Sequence, residues 1–435
     1  MALLHLKSTN PNFGWVIAKN PATGLIAKEV RKGTMFGYFP NDLIYTIYFK
    51  DAPNEVSYKS YKEESFEYMN ASRYNTPLFV IDAISEYFAS LLKGDTESIL
   101  EHDQTGFQNS IEINLVRLDQ KKYLEIFPMY LPDFEVVAVD ISKKNYKLFI
   151  KTQRSLVDLI NYTALFMVFN VLKNINDYIE INPDQMVKYL KCLSRLEVPY
   201  FMKYVFKVNL VRSPKVFKTY KEDLEKSATE KIEMVFGSTA QQRLEAVRNR
   251  LTFTSGICEI GCSDGFQTIH IAKTAHAAGL PVYAIDPDPV CRDKVMHRTG
   301  RKNLDNVTVL ESFEAFKALN PIGPFDVLMV EVIEHMSMND AMTLFKNVLH
   351  FCAKRERSRL ILTTPNRDFN QFYAIEGFRH EDHQFEFTED VFDDWVNQAI
   401  SDVSFAGRIK PFEVGDKVND IPTTLGVQID FDGEL

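Results

Sequence analysis

Apolar positions recur at two different rhythms along this chain of 435 residues, and the change of rhythm divides it. In the first part, residues 43–49 (Leu-Ile-Tyr-Thr-Ile-Tyr-Phe), 111–116, 134–139 and 146–151 are short runs rich in β-branched and aromatic side chains. Asn, Asp, Pro or Lys bounds each of them, which predicts strands. Three other stretches space their apolar residues as a helix does. Residues 79–92 follow Pro77 and stop at Gly94, residues 155–172 are apolar on most sides, and residues 183–196 are amphipathic behind Asn182 as a cap. The expectation is an α+β domain over residues 1–225, without a catalytic constellation: His5 and His102 stand alone and read as surface residues.

From residue 226 onward, short apolar runs alternate with helical spacing. A helix over 238–251 leads into a strand within Ser255-Gly-Ile-Cys-Glu-Ile. A helix over 266–278, strands at 281–285, 307–310 and 325–330, a helix over 340–352 and a strand at 359–363 follow. Two more strand-like pieces surround Pro411 and Pro422. This alternation predicts a Rossmann-like α/β domain over residues 226–435. Between the two domains, residues 203–226 carry Lys203, Lys207, Arg212, Lys215, Lys218 and Lys221 among Tyr204, Phe206, Phe217 and Tyr220, with Pro214 interrupting. The stretch reads as a linker with a solvated face, or as a strip that follows a phosphate backbone and stacks bases.

Charge narrows the choice of partners. A formal net charge of -9 argues against holding nucleic acid by bulk electrostatics, so any such contact should be local. The five cysteines form no Cys-x-x-Cys pair, which points to a reducing compartment rather than a disulfide framework. The first residues lack the apolar core of a signal peptide, and the longest apolar run, residues 162–169, falls short of the ~20 residues of a membrane span. A cytoplasmic protein is expected.

Candidate chemistry lies in the second domain. Glu259-Ile-Gly261-Cys-Ser-Asp-Gly265 is a strand-to-helix turn whose glycines let a ligand approach the backbone. It is neither a dinucleotide Gly-x-Gly-x-x-Gly nor a phosphate loop with its Lys, and it fits the Glu-x-Gly-x-x-x-Gly turn of S-adenosylmethionine enzymes. Asp286, 21 residues beyond Gly265, ends the next strand, where a carboxylate can accept both ribose hydroxyls. Ser312 follows the third strand, where an adenine edge could be read. The fourth strand runs into Glu331-Val-Ile-Glu334-His335. If the chain turns helical at Glu331, two carboxylates and an imidazole share one face. The plainer reading is an acidic first turn that complements the helix dipole. A metal there needs a further ligand, and Arg379-His-Glu-Asp-His-Gln-Phe-Glu offers His380 and His383. Two carboxylates with two imidazoles suit Mn²⁺, with Mg²⁺ or Fe²⁺ as competitors.

Together, Glu331-Val-Ile-Glu334-His335, Thr364-Pro-Asn366 and Arg379-His-x-Asp-His383-x-Phe-Glu resemble the Hua-enhancer family of small-RNA 3′-terminal ribose 2′-O-methyltransferases. The first domain, including Tyr68-Met-Asn-Ala-Ser-Arg-Tyr, looks like the extra domain of the bacterial branch. The resemblance implies Glu331, Glu334, His335 and His383 as metal ligands, and Glu259, Gly261, Asp264, Asp286 and Ser312 around S-adenosylmethionine. It also implies Arg379 at the terminal nucleotide, and a polynucleotide kinase-phosphatase of RNA repair as partner. Phe387 departs from the family, which has Trp there. His335 or His383 is expected to help remove the 2′ proton. The competing readings are a metal-independent small-molecule O-methyltransferase and an RNA-end-binding scaffold subunit.

Overall fold

The computed structural model describes residues 2–30, 32–51, 75–94, 101–175, 177–373, 375–403 and 406–433, so the Tyr68-Met-Asn-Ala-Ser-Arg-Tyr segment lies outside the described residues. The chain forms two units, Met1–Ala228 and Thr229–Leu435.

The first unit is built on a seven-stranded antiparallel sheet. In chain order its strands are β1 (Ala2–Ser8), β2 (Ile26–Val30), β3 (Gly33–Asn41), β4 (Ile44–Asp51), β5 (Asn109–Arg117), β6 (Phe134–Ser142) and β7 (Asn145–Thr152). They lie side by side as β2-β3-β4-β1-β5-β7-β6. Burial alternates along β1, with Ala2, Leu4 and Leu6 buried between half-exposed neighbours, so one face of the sheet carries the core. The helices Leu156–Lys173 and Pro77–Tyr87 pack on that core. Leu156–Lys173 is long and apolar enough to cross a membrane, yet 89% of it is buried in the protein. Ser155 caps it by accepting from the Asp158 amide.

Several expectations for this unit need revision. The predicted helix over 79–92 is two helices, Pro77–Tyr87 and Ala89–Lys93, broken at Phe88, whose ring is buried. Strands β1 to β3 go beyond those predicted; β2 buries none of its residues and so has no apolar period to read. Residues 203–226 are no linker, because they form parts of the packed helices Tyr200–Leu210 and Pro214–Glu225. Lys203 and Lys207 are buried, Lys203 donating to the Lys226 carbonyl and Lys207 lying over the Tyr204 ring, which removes both from any basic strip. His5 is half-buried and hydrogen-bonded to Thr46 at 3.0 Å, and His102 lies against the Trp15 ring; neither is a bare surface group.

The second unit has an eight-stranded sheet of β8 (Ile232–Glu233), β9 (Gly256–Ile260), β10 (Val282–Ile285), β11 (Val307–Leu310), β12 (Phe325–Val330), β13 (Arg359–Pro365), β14 (Ala406–Val418) and β15 (Ile421–Gly433). Their order is β11-β10-β9-β12-β13-β15-β14-β8, with β9 to β13 parallel and β15, β14 and β8 added antiparallel. Every residue of β9 is buried, as a strand covered on both faces requires. This is the predicted Rossmann-like domain, and its chain order reverses between β9 and β12. At such a switch point the carboxyl ends of the strands open a crevice. On one side the helices Met338–Ala353 and Glu389–Ser401 stack Phe345 on Trp395, with ring centres 4.9 Å apart. Phe387 joins that cluster 5.5 Å from Trp395, so its ring serves as core packing.

Candidate functional site

Both lips of the crevice carry backbone that few residues tolerate. After β9, Gly261 and Gly265 have φ of +74° and +78°, with Ser263 at +47° between them. A Cβ on Gly261 would stand 2.6 Å from Val332 Cγ2, so the loop leans directly on the chain leaving β12. Asp286, at the end of β10, braces the loop: Oδ2 accepts from the Ser263 amide at 2.8 Å and Oδ1 from the Asp288 amide at 3.0 Å. Each oxygen keeps a further lone pair for a ligand. Glu259 is buried and accepts from the Thr268 hydroxyl at 2.5 Å; burial lifts its carboxyl to about 7. Asp264 turns outward to Arg298, 2.9 Å away, and Ser312 caps the helix Phe313–Ala318 by accepting from the Ala315 amide. Gly261 and Asp286 are thus brought together, whereas Asp264 and Ser312 are engaged elsewhere.

On the other lip the chain does not enter an α-helix at Glu331. Glu331 takes a left-handed φ of +55°, its amide donating to the Thr363 carbonyl, and a short 3-10 turn, Ile333–His335, follows. A non-glycine residue there costs on the order of 1–3 kcal/mol and persists only where its surroundings hold it. The kink, rather than helical spacing, gathers the side chains. Ligating atoms of Glu334, His335 and His383 all lie within 4.8 Å of one another. Gln384 ties the two segments, its amide donating to the Glu334 carbonyl at 2.7 Å and its side chain to the His335 carbonyl at 3.2 Å.

Three of the four expected ligands therefore meet, and the fourth stands aside. Glu331 accepts from the Thr363 hydroxyl at 3.3 Å and pairs with Arg243 at 3.4 Å. Glu334 is fully buried; its Oε2 accepts from the Thr364 hydroxyl at 3.3 Å, while Oε1 has no partner among the described residues. Burial, and then the neighbouring Glu331 carboxylate, push its carboxyl well above the usual range. An orphaned carboxylate oxygen beside two imidazoles is a donor set that suits a divalent cation.

Both histidines are backed by carboxylates that the sequence reading did not single out. His383 Nδ1 lies 2.6 Å from Glu386 Oε1, and His335 Nδ1 lies 3.0 Å from Asp382 Oδ2. The other Asp382 oxygen meets His380, which is exposed. Arg379 is engaged as well. Its guanidinium donates to Asn370 Oδ1 and to the Thr423 and Asn366 carbonyls, occupying three of its five N–H directions. It locks the loop that carries His383 and keeps two N–H directions outside these three bonds.

Residues 3–229 match the family model described as the Hen1 N-terminal domain. Part of the chain is 30% identical over 83 residues to a small RNA 2′-O-methyltransferase of Tetrahymena thermophila, covering 18% of this chain and 19% of that protein. Proteins of the same name match from Caenorhabditis elegans (32% over 74 residues, 17% of this chain and 16% of that protein) and Drosophila melanogaster (33% over 75 residues, 16% and 18%). The matched stretch spans less than a fifth of the length of each of these relatives. A chain in the structure of the Pnkp1/Rnl/Hen1 RNA repair complex superposes with a TM-score of 0.82 at 23% identity, covering 98% of this chain and 100% of that one. A second structure of the Pnkp1/Rnl/Hen1 complex gives 0.80 at 23%, covering 99% and 100%. At this identity the likeness establishes the fold.

Proposed function

The chain belongs to the Hen1 N-terminal domain family, whose model spans more than half of it, and from that premise we propose that it methylates the 2′-hydroxyl of the 3′-terminal ribose of RNA. The methyl donor would be S-adenosylmethionine, and a divalent cation, Mn²⁺ before Mg²⁺, would assist. The observation that carries the reading is the buried Glu334 carboxylate, with one oxygen unpartnered among the described residues, gathered with His335 and His383. Glu334 and His383 would hold the cation, and Glu331 would complete the set on leaving Arg243. Bound there, the cation supplies Lewis acidity to two vicinal hydroxyls, which only a terminal ribose carries.

The remaining steps belong to the chain. Backbone around Gly261 and the Asp286 carboxylate would hold the donor, while Glu259, Asp264 and Ser312 would line its pocket more remotely. Of the two histidines, His335 is the more open, its side chain 38% exposed against 8% for His383. His335 would take the 2′ proton at the nitrogen facing away from Asp382, with Asp382 steadying the imidazolium, while His383 and Glu334 would hold the cation. Partnership with a kinase-phosphatase of RNA repair is proposed from the fold shared with a chain of the Pnkp1/Rnl/Hen1 complex. The test is methyl transfer to a short synthetic RNA, with Mn²⁺ or with chelator, followed by mapping of the modified sugar. Transfer should need the cation and refuse 3′-phosphate and 2′-deoxy ends; equal methylation of those ends, or transfer in chelator, refutes the reading.

A further inference from the structure

We propose that Glu386 is a positioning residue that fixes the tautomer of His383 and so presents its Nε2 to the cation; the inference rests on the metal reading above. Both oxygens of Glu386 are placed as acceptors by the N–H groups of Arg379 and Asn370, so the Nδ1 of His383, 2.6 Å from Oε1, stands as a further donor and carries the hydrogen. The lone pair then sits on Nε2. Glu386 is itself held from three sides: Oε1 also accepts from the Arg379 amide at 2.7 Å, and Oε2 accepts from Asn370 Nδ2 at 2.6 Å. Its side chain is 0% exposed and that of His383 only 8%, so solvent does not compete for the bond.

The contrast with His335 sharpens the assignment. Asp382, which faces His335 Nδ1, has a side chain 59% exposed and divides its two oxygens between His335 and His380. Among the described residues Glu386 meets no second histidine, and the Arg379 amide and Asn370 hold both its oxygens. Carboxylates behind a ligating imidazole commonly govern metal affinity by about 10–100-fold. Arg379 and Asn370 then acquire a role through Glu386, because the same guanidinium that locks the loop bonds Asn370, and Asn370 bonds Glu386.

The experiment has two parts. In the metal-free full chain, nitrogen NMR of the histidines, with His383 assigned through His383→Asn, should show His383 protonated at Nδ1. Titration of Mn²⁺ followed by electron paramagnetic resonance should then show Glu386→Gln binding about 10–100-fold more weakly than wild type. Melting in chelator should fall only slightly, because the amide keeps the volume but turns its NH2 toward a donor that a carboxylate oxygen now receives. A His383 protonated at Nε2 in the wild type overturns the role of Glu386, as does undiminished Mn²⁺ affinity in Glu386→Gln. Absence of Mn²⁺ binding by the wild type sinks the metal reading itself, which separates the two failures.

Discussion

Replacing Glu334 by Gln should make the metal-free protein more stable and the metal-loaded protein less so. In the wild type this carboxyl is fully buried, one oxygen lacks a partner among the described residues, and the Glu331 carboxylate is its neighbour. Its pKa is therefore raised, so the folded state holds the proton more tightly than the unfolded one. The associated stability is present at low pH and is lost as pH rises through the raised value. An amide carries no such charge, and the advantage of the variant should grow with pH. Leaving a buried group of this kind unsatisfied costs about 1–3 kcal/mol, more when it is charged. At roughly 2–4 °C per kcal/mol for a unit of this size, that is a rise in Tm of roughly 2–12 °C at mildly alkaline pH in chelator. With Mn²⁺ at about 100 times its Kd, the wild type should gain about 2.7 kcal/mol and the variant little. Thermal unfolding of the full chain, with chelator and with Mn²⁺, reads both effects. A variant that melts below wild type in chelator, or that gains as much from Mn²⁺, refutes the reasoning.

Glu259→Gln should flatten the pH dependence of stability between about 4.5 and 7: the folded carboxyl sits at about 7, so its contribution is complete below 4.5 and gone above 7. The shift weighs on the order of 3 kcal/mol, measurable as denaturant midpoints across that range. Gly261→Ala would place a methyl 2.6 Å from Val332 at a φ of +74°, and should cost about 1–3 kcal/mol and abolish binding of S-adenosylhomocysteine in calorimetry. Arg379→Met should remove three hydrogen bonds and lower stability by about 2–4 kcal/mol in denaturant melts, weakening Mn²⁺ binding through the loose His383 loop.

What the sequence disclosed and what it withheld follow from range. The strand-helix alternation after residue 226 is a local signal, and β9 to β13 lie where periodicity puts them. The gathering of Glu334 with His335 was visible because they are adjacent. The kink at Glu331 was not, since nothing local distinguishes a left-handed glutamate from the start of a helix; the Thr363 carbonyl, 32 residues away, accepts its amide. The pairing of Glu331 with Arg243 is likewise a long-range event. Glu386 stands three residues after His383, a spacing visible in the chain. Only the folded loop reveals that the two side chains touch. In the basic stretch, Lys203 and Lys207 are drawn inside, by the Lys226 carbonyl and the Tyr204 ring, whereas Lys215, Lys218 and Lys221 stay exposed.

The carbonyl of Thr423, which receives Arg379, belongs to β15, the last strand of the sheet. Synthesis from the amino end completes every proposed metal ligand, His383 the last of them, before the Thr423 carbonyl is made. A prematurely terminated product without β15 would carry every proposed metal ligand and still lack the strand against which their loop is secured.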